Sequence, residues 1–163
     1  MAVNKMVVEA PPEAVFAVLA DPATYGAFVV GSKHVRRFEP NYPELGSCFH
    51  HTLGVGPLIL RDKTCVEEVE EGRRLVLLAH MRPFAVNRVA FTLHPVPEGT
   101  EVPNTEVPNT EVEVEEYAVE GPVAAVWNPV LEAAMGLRNQ EMLRRLKRIA
   151  ERRLARRREV AGL

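Results

Sequence analysis

His51, Asp62 and Thr64 are the residues whose types and spacing could do chemistry. An imidazole titrates near pH 6.5, so it can accept or release a proton close to neutral pH. A neighbouring carboxylate fixes the tautomer of the ring and raises its basicity. Such a base could remove a proton alpha to a ketone, as aldol cyclisation requires. The alternative is a structural pair that only orients the sheet, because ion pairs also shift pKa values without catalysis.

Two predicted strands, residues 46–53 and 57–70, position these side chains on either side of a short turn at residues 54–56. Strands joined by so short a connection are antiparallel neighbours. The turn predicts one register, which pairs Gly54 with Pro57, Leu53 with Leu58, His51 with Leu60, and Phe49 with Asp62.

Alternation then divides the hairpin side chains between two faces, and the more apolar face is expected to point inward. His51 and Asp62 are diagonal neighbours on it, about 7–8 Å apart. A buried polar group without a partner costs on the order of 1–3 kcal/mol, so we expect these groups to bond to each other, to water or to a ligand. The inward set is Phe49, His51, Leu53, Leu58, Leu60, Asp62, Thr64 and Val66.

Later elements supply further candidates for the lining of an internal site. On the predicted strand 85–94 the inward set includes Asn87 and Phe91, and on the strand 111–119 it includes Glu116. Trp127 and Met135 lie on the predicted C-terminal helix, where core packing is the alternative to ligand contact.

The order of elements indicates an α+β fold. A first strand is followed by two short helices, about six strands, and a long helix from about residue 121 to beyond residue 149, with an irregular turn at Asn128-Pro129. The tail past Arg152 loses its apolar positions and is expected to fray. A curved antiparallel sheet must cover its apolar face, and the long helix is the late element able to do so. The 163 residues are therefore expected to form one domain.

Composition excludes several classes of protein. The chain is 47% hydrophobic and 26% charged with a net charge of −2, which gives no general attraction to nucleic acid. It contains no apolar run long enough to span a membrane and no signal-peptide pattern. Two cysteines are too few for a disulfide framework, which favours a reducing cytoplasm. In the predicted register Cys48 and Cys65 are offset along the strands, so a disulfide between them would need a shift of register. No metal-ligand spacing or phosphate loop is present, so neither metal nor cofactor is expected.

Two local features stand apart from the fold. Between Arg144 and Arg158 there are nine basic residues and one acid, which predicts a solvated helix face or, alternatively, a peripheral membrane- or protein-binding surface. The pentapeptide Glu-Val-Pro-Asn-Thr occurs twice in tandem at residues 101–110. We interpret the repeat as an insertion in a surface loop, since loop-closure entropy grows slowly with length.

Three segments resemble a known family. Ala20-Asp-Pro-Ala-Thr-Tyr-Gly-Ala-Phe-Val-Val-Gly-Ser32, residues 46–64 and residues 137–147 are similar to START-like (SRPBCC) helix-grip proteins of the polyketide cyclase/dehydrase and lipid-transport branch. The chain differs at Phe28, where this branch commonly has Trp. The resemblance implies a curved sheet of six to seven strands around the C-terminal helix, with an apolar cavity between them.

Function is expected from the same resemblance, because such proteins bind lipids, sterols, polyketides or hormones and a minority cyclise or dehydrate polyketides. No fixed catalytic set accompanies the family. We therefore favour binding of a hydrophobic or amphipathic small molecule in the cavity. The alternatives are a cyclase or dehydratase that uses His51 as base with Asp62, and a surface-interaction module that uses the basic helix. Both a monomer and a homodimer fit the sequence.

Overall fold

The computed structural model describes residues 1–102, 105–126 and 128–162, with the backbone alone at residues 55, 98–102, 105 and 106. The strands are β1 (Ala2–Val8), β2 (Ser32–Phe38), β3 (Cys48–Val55), β4 (Leu58–Glu70), β5 (Arg74–Met81), β6 (Ala85–Val102) and β7 (Thr105–Glu120). The helices are α1 (Pro12–Leu19), α2 (Tyr25–Phe28), α3 (Pro122–Ala125) and α4 (Pro129–Ala161), and a 3-10 turn occupies Pro22–Thr24.

All seven strands belong to one antiparallel sheet with the order β1-β7-β6-β5-β4-β3-β2. One stripe of α4 packs against this sheet, and α1 and α2 also contact the helix. The α+β helix-grip architecture predicted from the sequence is therefore confirmed. The buried residues of the α4 stripe are Asn139, Met142, Leu143, Leu146 and Ala150.

The core lies between the sheet and the helices, and the predicted inward sets of β6 and β7 are buried in it. Every second side chain, on the inward face of these strands, is buried, and Val86 and Ala90 on the other face of β6 are buried as well. The predicted residues Asn87, Phe91 and Glu116 are buried, together with Ala85, Val89, Leu93, Val112 and Val114.

The helical C-terminus is interrupted where the sequence predicts it. α3 ends at Ala125, and α4 begins at Pro129 with the Asn128 side chain as its N-cap, accepting hydrogen bonds from the backbone N–H groups of Val130 and Leu131 at 3.0 Å. Proline suits this first position because its missing N–H has no helical partner. α4 continues through the tail for which we expected fraying and ends at Ala161.

The β3–β4 register differs from the predicted one by two residues. Leu53 pairs with Leu60 and His51 pairs directly with Asp62, because the turn is centred on Gly56-Pro57. Gly56 has a φ of +60°, a conformation that a two-residue hairpin turn requires and that glycine adopts without strain. A shift of two residues preserves the face of every side chain, so the predicted inward set stays together.

The corrected register places Cys48 directly opposite Cys65, and the two form a disulfide. The expectation that these cysteines are offset is therefore wrong. A cytoplasmic location stays a prediction from the sequence. A structural disulfide is more common in oxidising compartments.

The disulfide should contribute to stability, since it closes a loop with a sequence separation of 17 residues. A loop of that length corresponds to about 3 kcal/mol in the chain-entropy treatment, or about 6–12 °C in the unfolding midpoint. We expect dithiothreitol to lower the midpoint by this amount in calorimetry. The Cys48→Ala/Cys65→Ala variant should unfold at the lower midpoint with or without reductant. A wild-type midpoint that ignores the reductant, together with two titratable thiols in the denatured protein, would contradict the bond.

The described residues of the tandem repeat, 101, 102 and 105–110, lie in strands and not in the predicted loop. β6 and β7 continue to pair through it, with Val96 opposite Asn109 and Val102 opposite Thr105. This ribbon extends past the last residues that pair with the neighbouring strands β5 and β1. Prolines are tolerated there because a ribbon with open edges has N–H positions that face solvent.

Candidate functional site

An internal cavity of about 60 Å³ lies between the sheet and α4. Its walls are mostly apolar, and a few polar groups interrupt them. The apolar lining is Tyr25, Val29, Phe49, Leu53, Leu77, Ala79, Met81, Val89, Phe91 and Met142, and the polar lining is Ser32, His51, Thr64, Glu116 and Arg138. We call this space the inner cavity.

His51 and Thr64 form one polar cluster of the inner cavity. Both are buried, and His51 Nε2 lies 2.8 Å from Thr64 Oγ1. His51 Nδ1 and Ser32 Oγ are also buried, and neither has a hydrogen-bond partner among the described residues. Each such orphan atom costs on the order of 1–3 kcal/mol, so a polar group entering the cavity would recover free energy by bonding to it.

Burial controls the protonation of His51. The imidazole is only 4% exposed, and this desolvation lowers its pKa to about 4, although the charge of Asp62 opposes the shift. The ring is therefore neutral at pH 7, with one nitrogen as a donor and the other as an acceptor. A neutral imidazole can hydrogen-bond an uncharged ligand without bringing a buried charge to it.

The expectation that His51 and Asp62 bond to each other, to water or to a ligand is not met by a hydrogen bond between the two. Asp62 Oδ1 accepts a hydrogen bond from the backbone N–H of Lys63, and Oδ2 accepts one from the backbone N–H of Arg82, both at 2.9 Å. The carboxylate thus fixes the β5–β6 turn, and it acts on His51 only through its charge. The strand register shows which residues are opposite each other, but it does not show which donors a carboxylate binds. Backbone N–H groups satisfy the Asp62 carboxylate at a lower desolvation cost than a buried ion pair would.

Glu116 and Arg138 form the second polar cluster. Arg138 Nη1 lies 3.0 Å from both carboxylate oxygens of Glu116, and Asn87 Nδ2 donates to Glu116 Oε1 at 2.8 Å. The Glu116 side chain is 2% exposed and that of Arg138 is 27% exposed. Since an isolated buried carboxylate is costly, this pairing explains how Glu116 is tolerated on the inward face of β7.

A second cavity of about 250 Å³, the outer cavity, adjoins the first. Leu53, Met81 and Arg138 line both. Arg138 is the only charged residue of the outer wall among the described residues, so this space is suited to an apolar group. The other lining residues are Val30, Gly31, Gly54, Leu58, Leu60 and Met135.

The two cavities bring together most of the site residues predicted from the sequence. Phe49, His51, Thr64, Phe91 and Glu116 line the inner cavity, and Leu60 and Met135 line the outer one. Asn87 stands behind Glu116, Asp62 lies at the β5–β6 turn, and Trp127 falls outside the described residues. Ser32 and Arg138 were not predicted from the sequence. A signal for Arg138 existed, because the apolar residues that recur at helical spacing along the predicted C-terminal helix, such as Leu131, Met135, Met142 and Leu146, are interrupted at residues 138 and 139.

Other parts of the surface offer less. A groove of about 880 Å³ beside α1 is larger, but its polar lining consists of the exposed glutamates 13, 44 and 71. Within the described residues there is no cluster of three or more His, Cys, Asp or Glu side chains able to hold a metal, and no helix there has the length and hydropathy to cross a bilayer. In the basic stretch of α4, Arg153 pairs with Asp21 at 2.7 Å.

Comparison with solved structures supports the fold. An aromatase/cyclase from a Streptomyces species superposes with a TM-score of 0.64 at 16% identity, over 94% of each chain. A START superfamily protein from Mycobacterium smegmatis gives 0.65 at 13% identity, over 93% of this chain and 97% of its own. At these identities the likeness shows the fold alone. No curated protein matches the chain.

A family model gives the assignment that the structures alone do not. The model described as polyketide cyclase/dehydrase and lipid transport matches residues 2–151, nearly the whole chain. This match agrees with the seven-stranded sheet, the long C-terminal helix and the cavity between them. The chain therefore belongs to the polyketide cyclase/dehydrase and lipid-transport family of START-like proteins.

Proposed function

We propose that the protein binds a small, mainly apolar molecule with at least one oxygen substituent, in the space formed by the inner and outer cavities. The observation that carries the proposal is the buried His51 Nδ1, which has no partner among the described residues and belongs to a cavity-lining side chain. A ligand oxygen at this nitrogen would satisfy it. The membership in a family whose description includes polyketide cyclases and lipid transport agrees with such a ligand.

The two cavities suit different parts of a ligand. The inner one, at about 60 Å³, has room for only a handful of heavy atoms, so it suits the polar end of a ligand. The outer one, at about 250 Å³, suits the apolar remainder. Burial of that remainder supplies affinity at roughly 25 cal/mol per Å² of apolar surface, while the polar contacts set orientation.

Binding has more support than catalysis. A cyclase or dehydratase needs a base, and His51, whose Nδ1 has no hydrogen-bond partner among the described residues, is the nearest match in the cavity. A nitrogen whose pKa is about 4 is, however, a weak base at neutral pH, and Asp62 does not bond to it. The surface-interaction hypothesis rests on the basic residues of α4, and it stays a prediction from the sequence.

A matched pair of histidine variants tests the proposal. His50 and His51 are adjacent on β3, so their side chains point to opposite faces of the sheet. We expect uncharged ketones, alcohols and phenols of about eight to twelve carbons to raise the unfolding midpoint of the wild type, since they bind the native state alone. His51→Gln should weaken binding about ten-fold, the equivalent of one lost hydrogen bond, and His50→Gln less than two-fold.

Two outcomes would contradict the proposal. One is that no member of this panel shifts the midpoint or gives heat in titration calorimetry. The other is that His50→Gln and His51→Gln weaken binding equally, which would place the ligand elsewhere. Native mass spectrometry of protein purified from its own host would identify the natural ligand directly.

A further inference from the structure

Arg138 stands where the two cavities meet. Of the three residues that line both, Leu53 and Met81 are apolar, and Arg138 alone carries hydrogen-bond donors. The inner cavity, at about 60 Å³, is too small to hold a whole ligand, so a molecule that fills both cavities and reaches His51 lies beside the guanidinium. Arg138 therefore lies beside the polar end of such a ligand, where the inner cavity begins.

The Arg138 guanidinium is held in place by hydrogen bonds, but not all of its N–H donors are used. Nη1 donates to both oxygens of Glu116 at 3.0 Å, and Nε donates to the carbonyl oxygen of Val30 at 3.3 Å. Nη2 has no hydrogen-bond partner among the described residues. An arginine has five N–H donors in a planar fork, so Nη2 still offers two of them.

Charge decides which ligand group can use these donors. The +1 charge of Arg138 is already balanced by Glu116, whose carboxylate also lines the inner cavity. His51 adds no charge at neutral pH, and Asp62 is bound to the β5–β6 turn. An ionised carboxylate entering this space would lose its hydration and meet Glu116 without an uncompensated cation to pair with. An uncharged carbonyl avoids both costs and can still accept from Nη2.

We propose that the Glu116–Arg138 pair makes the site selective for uncharged carbonyl compounds against carboxylates of the same size. The proposal rests on the proposed function, because it needs a ligand in the two cavities. It assigns the two residues separate parts. Arg138 donates to the ligand oxygen, and Glu116 cancels the charge that would otherwise attract an anion.

The experiment compares 2-octanone with octanoate, which have the same number of carbons and differ in charge at pH 7.5. Dissociation constants come from titration calorimetry of the wild type, Glu116→Gln and Glu116→Gln/Arg138→Met. We expect the wild type to bind 2-octanone at least ten-fold more tightly. Glu116→Gln leaves the arginine charge uncompensated, so octanoate should bind at least ten-fold more tightly than it does to the wild type. In the double variant, which is neutral again, this gain should disappear.

Each outcome has a distinct meaning. Equal wild-type affinities for the two probes, or a Glu116→Gln variant that does not gain affinity for octanoate, overturn the selectivity proposal while the binding function stands. A gain that persists in the double variant also overturns it, because Arg138 is then not the group that attracts the carboxylate. If neither probe binds any of the three proteins, the binding function and the selectivity proposal fail together. Circular dichroism of each variant verifies that the fold is retained.

Discussion

Between pH 6.5 and pH 4 the protein should lose about 3 kcal/mol of stability through His51 alone. Burial lowers the pKa of this histidine to about 4 in the folded protein, whereas an unfolded chain holds it near 6.5. In that interval the unfolded state binds more protons than the native state, so acidification favours unfolding. The contribution is fully present above pH 6.5, declines toward pH 4, and is constant below it. One pKa unit corresponds to 1.36 kcal/mol, which gives the magnitude.

Carboxylates in ion pairs titrate in the same range, so the informative quantity is a difference between variants. Urea unfolding gives the stability of the wild type, His51→Gln and His50→Gln at a series of pH values. Glutamine does not titrate, so the cost of His51→Gln relative to the wild type should shrink by about 3 kcal/mol between pH 7 and pH 4. His50→Gln controls for the replacement of a histidine by glutamine on the opposite face of the same strand. Parallel curves for the wild type and His51→Gln would show that the imidazole is not desolvated.

The same histidine shows how far the sequence could lead. The face on which His51 lies was predictable, because apolar alternation along β3 and β4 specifies which side chains point inward. The pairing partner was not predictable from alternation, since sliding one strand by two residues keeps every face unchanged. The position of the turn determines the pairing partner. Gly56 is needed at the first central position of a two-residue turn, and this moved the partner of His51 from Leu60 to Asp62.

The tandem repeat illustrates a different limit. Its prolines and asparagines are signals for a loop, and the sequence predicts one at residues 95–110. The two copies instead continue the β6–β7 ladder, with Glu101 opposite Glu106. Proline disrupts a strand that has neighbours on both sides, because it cannot donate to the hydrogen-bond ladder. A ribbon beyond the ends of β1 and β5 has no such neighbours, so proline does not interrupt any further pairing.

Arg138 was missed for a third reason. A gap at residues 138 and 139 in an apolar stripe was visible, and Asn139 is indeed fully buried without a side-chain partner among the described residues. What faces that gap depends on where α4 crosses the sheet, which no local pattern specifies. Glu116 was predicted to face inward on β7, which its burial agrees with, but the sequence indicated no ion-pair partner for it. The partner became evident only when both elements were in place.

Replacement of Arg138 by methionine should cost 3–5 kcal/mol of stability, the second large effect that we expect. The change removes the two 3.0 Å contacts to Glu116 and leaves a carboxylate that is 2% exposed without its cation. Breaking a buried pair by removing one partner is costly, because the remaining charge has already lost its hydration. Urea unfolding of the variant gives the loss.

A second arginine on α4 provides the matched control. Arg153 pairs with Asp21 at 2.7 Å, a shorter contact, but the two side chains are 42% and 36% exposed. Such a surface pair contributes about 0–1 kcal/mol, so Arg153→Met should be nearly neutral although it deletes the same side chain from the same helix. Distance alone would rank the two pairs the other way. Equal costs for the two variants would contradict the role of burial.

The double variant Glu116→Gln/Arg138→Met separates the pair from the packing of its members. If the loss in Arg138→Met arises from an unpaired buried carboxylate, replacing Glu116 by a neutral amide should restore most of the stability, and the double-mutant cycle should give a coupling of at least 2 kcal/mol. If the loss arises from the missing aliphatic stem of Arg138, the second change restores nothing. A restored double variant would also mean that the pair is not required for folding. The position of Arg138 in the wall shared by the two cavities, with Glu116 beside it in the inner one, would then agree with a role in ligand selection, which the octanone and octanoate comparison measures.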